Sequence, residues 1–285
     1  MGLTVKNFSA GYAFQKKNGS DAVVKNISFS LNNGTLTALI GANGCGKSTL
    51  LKGICKLIPS SGNVLLQESA QQNISRQVSS ADTHSDRTLL PLHQLTTRQI
   101  ARLISYIPQR SGITVSLSAL DIVLMGFHPY LSLLESPGKR HREKALTALE
   151  TVGLVDRKDQ DFLTLSEGQK QLCILARTLV QDTCLLLFDE PDSALDFSNR
   201  QMFLQTIQEI ICTRQKTGLL VLHDINLALD YCDQLLLMKD GKIIRTLYPK
   251  IDSEKMLSKA LSEICGNVEV FRRDGHCLMY SKNTS

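Results

Sequence analysis

The sequence predicts an α/β fold with a mainly parallel sheet, an N-terminal β region and an inserted helical stretch. Short, almost wholly apolar runs at 36–40, 185–188, 219–222 and 235–238, with Thr37 the one exception, read as strands buried on both faces, the pattern of parallel sheets. Helical periodicity near 201–211 and 226–231 separates these runs, which argues for strand–helix alternation. From about 117 to 179 the pattern is helical almost throughout, broken at Pro129, Pro137 and Gly138.

Taken in chain order, residues 22–31 alternate through Val23, Val24, Ile27 and Phe29, and Asn32-Asn33-Gly34 supplies turn chemistry. The strand at 36–40 runs into a glycine-rich turn. A helix follows, with Leu50, Leu51, Ile54, Leu57 and Ile58 on one face, ended by Pro59 and Gly62. Residues 67–93 carry many polar side chains and few apolar anchors, so a flexible surface insertion is expected there. A strand at 103–107 comes next, then helices at 143–152 and 167–179. Lys239-Asp240-Gly241-Lys242 reads as a hairpin turn. The predicted division is an α/β core from 1–111 and 178–250, a helical subdomain at 112–177 and a small C-terminal element at 251–285.

The chain has 285 residues, enough for one large domain or two small ones. Its net charge of +5 is scattered, without a basic arm or aromatic–basic interleaving, so no nucleic-acid partner is expected. The eight cysteines form no C-x-x-C pair and no zinc spacing. The start lacks the apolar stretch of a signal peptide, and no apolar run approaches the ~20 residues of a membrane helix. A reducing cytoplasm is the expected compartment, with any membrane passage left to other chains.

Two motifs carry chemistry. Gly41-Ala42-Asn43-Gly44-Cys45-Gly46-Lys47-Ser48-Thr49 follows a strand and opens a helix, the setting of a phosphate-binding P-loop. Its glycines let backbone N–H groups turn inward, and the helix N-terminus adds partial positive charge. Lys47 is expected at the β- and γ-phosphates of ATP, Ser48 at Mg²⁺, and Thr49 at the phosphate end. The apolar strand at 185–188 ends in Asp189 and Glu190, at the sheet edge where ligands bind. Asp189 suits Mg²⁺, and Glu190 suits polarising the attacking water.

Between these motifs, Leu165-Ser166-Glu167-Gly168-Gln169 opens a helix and resembles the signature of ABC (ATP-binding cassette) transporter ATPases. The resemblance covers nearly the whole chain. It implies a P-loop NTPase fold of ABC type, with an N-terminal antiparallel β region and an inserted α-helical subdomain. It also implies a two-fold dimer in which Ser166, Gly168 and Gln169 of one copy close over ATP held by the other. Further positions match that family. Tyr12 resembles the adenine-stacking aromatic, Gln109 the Q-loop glutamine near Mg²⁺ and the attacking water, and His223 the switch histidine. Ser193-Ala194-Leu195-Asp196 resembles the D-loop, with Asp196 at the dimer seam. Implied partners are a second copy, transmembrane permease subunits and, indirectly, an external substrate-binding protein. The implied location is the cytoplasmic face of the inner membrane.

The stretch Leu124-Met125-Gly126-Phe127-His128-Pro129-Tyr130 resembles importers of iron–siderophores, haem and cobalamin. A soluble ATP-gated switch without a transport role is the alternative. Against it, the chain has neither the long coiled coils usual in DNA-maintenance cassettes nor the two cassettes usual in translation-type members.

Two departures from the family's pattern, and one cysteine, lead to expectations of their own. Glu167 stands where the family usually has glycine, and its carboxylate is expected to point outward. Asp192 stands where threonine is usual, and its charge near Glu190 is expected to raise carboxylate pKa values. Cys45, beside Lys47 among inward N–H groups, is expected to have a lowered thiol pKa, so that alkylation blocks ATP binding and bound ATP protects.

Overall fold

The computed structural model describes residues 2–12, 22–67, 89–132, 134–193 and 195–282. At its centre is a six-stranded sheet of β3 (Leu36–Ile40), β6 (Ile104–Ile107), β7 (Leu185–Asp189), β8 (Thr217–Val221), β9 (Gln234–Lys239) and β10 (Lys242–Leu247). The order is β10-β9-β3-β8-β7-β6, and every pairing is parallel except β9 with β10. Those two are joined at Asp240 and Gly241, both with positive φ, as the hairpin reading required.

Strand alternation divides the core. Ala38, Ile40, Leu186, Phe188, Leu220, Leu235 and Leu237 face a cluster shared with the helical insertion. Leu39, Leu185, Leu187, Leu219, Val221, Leu236 and Met238 face the other way, against the N-terminal β region. Both faces are dry, which is why these runs are apolar apart from Thr37, whose hydroxyl donates to Gln234 Oε1 at 3.1 Å.

The N-terminal region is an antiparallel sheet of β1 (Leu3–Ala10), β2 (Val24–Leu31), β4 (Ser60–Gln67) and β5 (Leu89–Pro91), ordered β2-β1-β4-β5. Phe8, Ile27, Val64 and Leu66 meet the main sheet through α1 (Lys47–Ile54). That helix ends earlier than predicted. Lys56 takes φ of 56° and turns the chain, so Leu57 leaves the apolar face and is exposed. The stop is a left-handed residue other than glycine, which the pattern of apolar positions does not mark.

The expected insertion is narrower than 67–93. Gln67 and Leu89 pair across β4 and β5, and Leu92 is buried; residues 68–88 lie outside the described residues. After Thr96, whose side chain and that of Gln99 form a capping box, comes α2 (Thr97–Ala101).

The helical insertion holds α3 (Ala119–Leu124), α4 (Lys139–Thr151) and α5 (Glu167–Gln181). Leu172, Leu175, Ala176 and Leu179 of α5 are buried on one face, as their spacing predicts. Then follow α6 (Phe197–Thr213) and α7 (Ile225–Tyr231). The C-terminal element is α8 (Glu254–Cys265) and a hairpin of β11 (Val268–Arg273) and β12 (His276–Ser281).

Candidate active site

Parallel strands end on the same edge, and four of them deliver the candidate residues there. β3 leads into the glycine-rich loop, β7 ends at Asp189 and Glu190, and His223 follows β8 by two residues. Gln109 follows β6 by the same interval. A cavity of about 280 Å³ at this edge is lined by Val23, Asn43, Gly44, Gly46, Lys47, Ser48, Thr49, Glu190 and His223.

The loop is held by close approach. A Cβ on Gly41 would sit 2.2 Å from the Met238 carbonyl oxygen of β9, and Gly46 takes φ of 110° just before α1. Neither position tolerates a side chain without moving backbone. Lys47 is nearly buried, and its Nζ donates to the carbonyls of Gly41 at 2.8 Å and Ala42 at 3.2 Å. The ammonium is thereby folded back over the loop whose N–H groups surround the cavity.

Both oxygens of Asp189 are engaged. Ser48 Oγ donates to Oδ1 at 2.7 Å, and the Tyr106 hydroxyl donates to Oδ2 at 2.9 Å. Burial, and after it the Asp189 carboxylate, push the Tyr106 hydroxyl well above its usual range, so it stays a donor. Tyr106 was not among the residues picked from the sequence. The only signal was its place one strand residue before Ile107-Pro108-Gln109.

Glu190 is held in the same way. Gln109 Nε2 donates to Oε2 at 2.8 Å, and His223 Nε2 lies 2.7 Å from Oε1. Glu190 takes φ of 52° directly before Pro191, a backbone state L-residues other than glycine rarely adopt. Such strain persists only where the surroundings enforce it, and it clusters at sites that act on ligands.

The signature residues lie elsewhere in the chain's surface. None of Ser166, Gly168 and Gln169 lines the cavity. Ser166 caps α5, its Oγ accepting from Gln169 N–H, while Gln169 Oε1 accepts from Ser166 N–H at 3.0 Å. Glu167 does point outward and pairs with Lys170 at 2.8 Å. Gly168 backs onto Asn199 and Leu195 at the start of α6. Asp196 caps α6, accepting from Asn199 N–H and from its Nδ2, each at 2.9 Å. Ala194 of the same loop lies outside the described residues. Tyr12 is exposed, with Lys52 Nζ 3.2 Å from its hydroxyl and 5.7 Å from the ring centroid.

Two chemical expectations are corrected. Cys45 is nearly buried, and burial raises its thiol pKa; the Lys47 charge opposes this and is outweighed. Asp192 is raised too, but first by its own burial rather than by Glu190. Arg200, 3.5 Å away, and His223 pull it down, and Asp224 pushes it up.

Among folds that bring a glycine-rich loop and strand-end acids to one sheet edge, this is a P-loop nucleoside-triphosphate-binding protein. Residues 24–193 match the profile of the family described as ABC transporter, and the chain belongs to that family. It is 31% identical over 249 residues to the petrobactin import ATP-binding protein FpuD of Bacillus anthracis, covering 87% of this chain and 84% of that protein. It is 35% identical over 243 residues to a probable iron chelatin transport ATP-binding protein of Helicobacter pylori (strain ATCC 700392 / 26695), covering 85% and 86%. A transporter assigned to the metal-chelate type, solved in an inward-facing conformation, superposes with a TM-score of 0.73 at 22% identity. The match covers 98% of this chain and 95% of that one, and the two share the fold.

Proposed function

We propose that this chain hydrolyses ATP as the energy-converting subunit of an ABC importer, with a metal chelate of the iron–siderophore, haem or cobalamin type as cargo. The observation that carries the hydrolytic reading is Glu190, strained in its backbone and gripped through both carboxylate oxygens at the rim of the phosphate cavity. The cargo class rests on the 124–130 stretch and on relatives named for petrobactin import and iron chelatin transport.

The loop N–H groups and the α1 N-terminus receive the phosphates, and Lys47 leaves its loop carbonyls for the β- and γ-phosphate oxygens. Tyr12 stacks on the adenine. Glu190 accepts a proton from the attacking water, while Gln109 and His223 hold its carboxylate in line. Ser48 Oγ and Asp189 Oδ1, 2.7 Å apart, are hard oxygen donors of the kind Mg²⁺ takes, with Gln109 as a third. Bound there, Mg²⁺ supplies neutralisation of the charge that develops on the phosphates.

A second copy contributes Ser166, Gly168 and Gln169, whose helix N-terminus stabilises the γ-phosphate, and Asp196 lies at the seam. Loss of the γ-phosphate contacts lets the dimer open, since ATP drives closure only through its greater affinity for the closed state. No helix among the described residues is long and apolar enough to cross a membrane. Passage is assigned to permease subunits, with an external binding protein delivering cargo and this chain on the cytoplasmic face of the inner membrane.

The test uses tagged Glu190→Gln trapped with ATP in gently solubilised membranes. Co-purification of a polytopic membrane protein is the expected result. Recovery of soluble partners alone would overturn the transport reading in favour of a soluble ATP-gated switch.

A further inference from the structure

The hairpin β11–β12 lies beyond the residues that match the family profile, yet it is bonded to the helix that follows the switch histidine. Asp224 caps α7, its Oδ1 accepting from the N–H groups of Asn226 and Leu227 at 2.9 and 3.2 Å. The Asn226 side chain then bonds both main-chain groups of Met279 in β12. Met279 N–H donates to Oδ1 at 2.6 Å, and Nδ2 donates to the Met279 carbonyl at 3.3 Å. One turn along the same face of α7, Asp230 Oδ1 lies 2.7 Å from His276 Nδ1. The hairpin is anchored in turn on α8. Val270 N–H donates to Ser258 Oγ at 2.8 Å, and Arg272 N–H to Glu254 Oε1 at 2.7 Å. Val270 and Cys277 are buried in the same cluster as Leu227 and Ala228.

We propose that this hairpin is a brace that sets the position of His223, and that Asn226 is its positioning residue. The proposal rests on the reading that Glu190 and His223 serve ATP hydrolysis. A seven-residue helix has little stability of its own, so tertiary contacts decide where α7 sits. The His223 side chain is 43% exposed and is not wedged in place by packing. Its 2.7 Å contact with Glu190 is therefore set largely by the chain around it. Asn226 and Asp230 fasten α7 at two points on one face, which fixes its rotation about its axis. An error of 1 Å at a reacting group can cost as much as ~10²-fold in rate.

The experiment is steady-state ATP hydrolysis by the purified full-length chain. Asn226→Ala is expected to lower kcat roughly three- to tenfold with KM for ATP within about twofold. In a His223→Ala background the same substitution is expected to change kcat no further, because its effect runs through His223. Gln208→Ala is the control. It removes a 2.9 Å bond to the Tyr231 carbonyl at the far end of α7 and is expected to lower thermal stability while leaving kcat unchanged. Unchanged kcat in folded Asn226→Ala, or losses that multiply with His223→Ala, would overturn the brace. Should Asn226→Ala not fold, His276→Ala, which removes the second fastening at Asp230, is read against the same two outcomes. A wild-type chain without ATP hydrolysis would remove the functional reading itself, a result distinct from an active wild type indifferent to Asn226.

Discussion

The phosphate edge of the main sheet and the N-terminus of α5 each carry a short motif, but they are built differently. At the sheet edge, partners come from far along the chain. Ser48 and Asp189 are 141 residues apart, Tyr106 and Asp189 83, and Gln109 and Glu190 81. At α5, Ser166 and Gln169 are three residues apart and cap each other, and Glu167 finds Lys170 on the next turn. The first region is assembled by tertiary structure around a cavity of its own. The second is finished locally, at a helix N-terminus that lines no part of that cavity. On the function proposed above, the two are complementary halves of a site that a pair of copies completes.

The strongest way to break this comparison is at Glu190. Glu190→Gln keeps the shape, so ATP binding is expected to persist while hydrolysis falls roughly 10²–10⁴-fold, the range for loss of a general base. Fluorescent-nucleotide binding beside phosphate release would check it, and fast release by this variant would remove Glu190 from that role.

Complementation sharpens the contrast. Lys47→Ala and Ser166→Ala are each expected to be nearly inactive alone, with Ser166→Ala also losing about 0.5–2 kcal/mol of stability with its cap. A mixture is expected to regain part of the activity, because one mixed dimer pairs an intact loop with an intact signature. No recovery on mixing would mean that the two halves act within one chain.

The smallest effect concerns Cys45. Its raised pKa keeps the thiol protonated at neutral pH, and burial limits access. Alkylation followed by peptide mass analysis should find Cys45 labelled more slowly than exposed Cys212 and Cys265 at neutral pH. Labelling should gain as pH rises above about 9, the ordinary thiol value from which it is raised. Rapid neutral-pH labelling that ATP suppresses would restore the activated thiol.

Much of the fold was readable because β3, β7, β8 and β9 are buried on both faces and so are largely apolar. The readings that failed depended on features with a weaker chemical mark. The end of α1 rests on Lys56 in a left-handed state, where glycine would have been the visible signal. The C-terminal hairpin was missed although Asp274 and Gly275 form its turn with positive φ, because its strands are only half buried and alternate weakly. For Cys45, the neighbouring lysine was visible in the sequence and the burial that outweighs it was not.

By itself the sequence determined the phosphate loop, the acidic strand end, the signature helix and the family, since each is a short string whose chemistry depends on its immediate backbone. Only the tertiary structure decided that Gln109 and His223 share the two oxygens of Glu190, that Tyr106 completes Asp189, and that Asn226 binds the last strand. Those contacts follow from strand order. Parallel pairing brings the ends of β3, β6, β7 and β8 to one edge, and which side chains meet there depends on how distant segments pack rather than on the residues beside them.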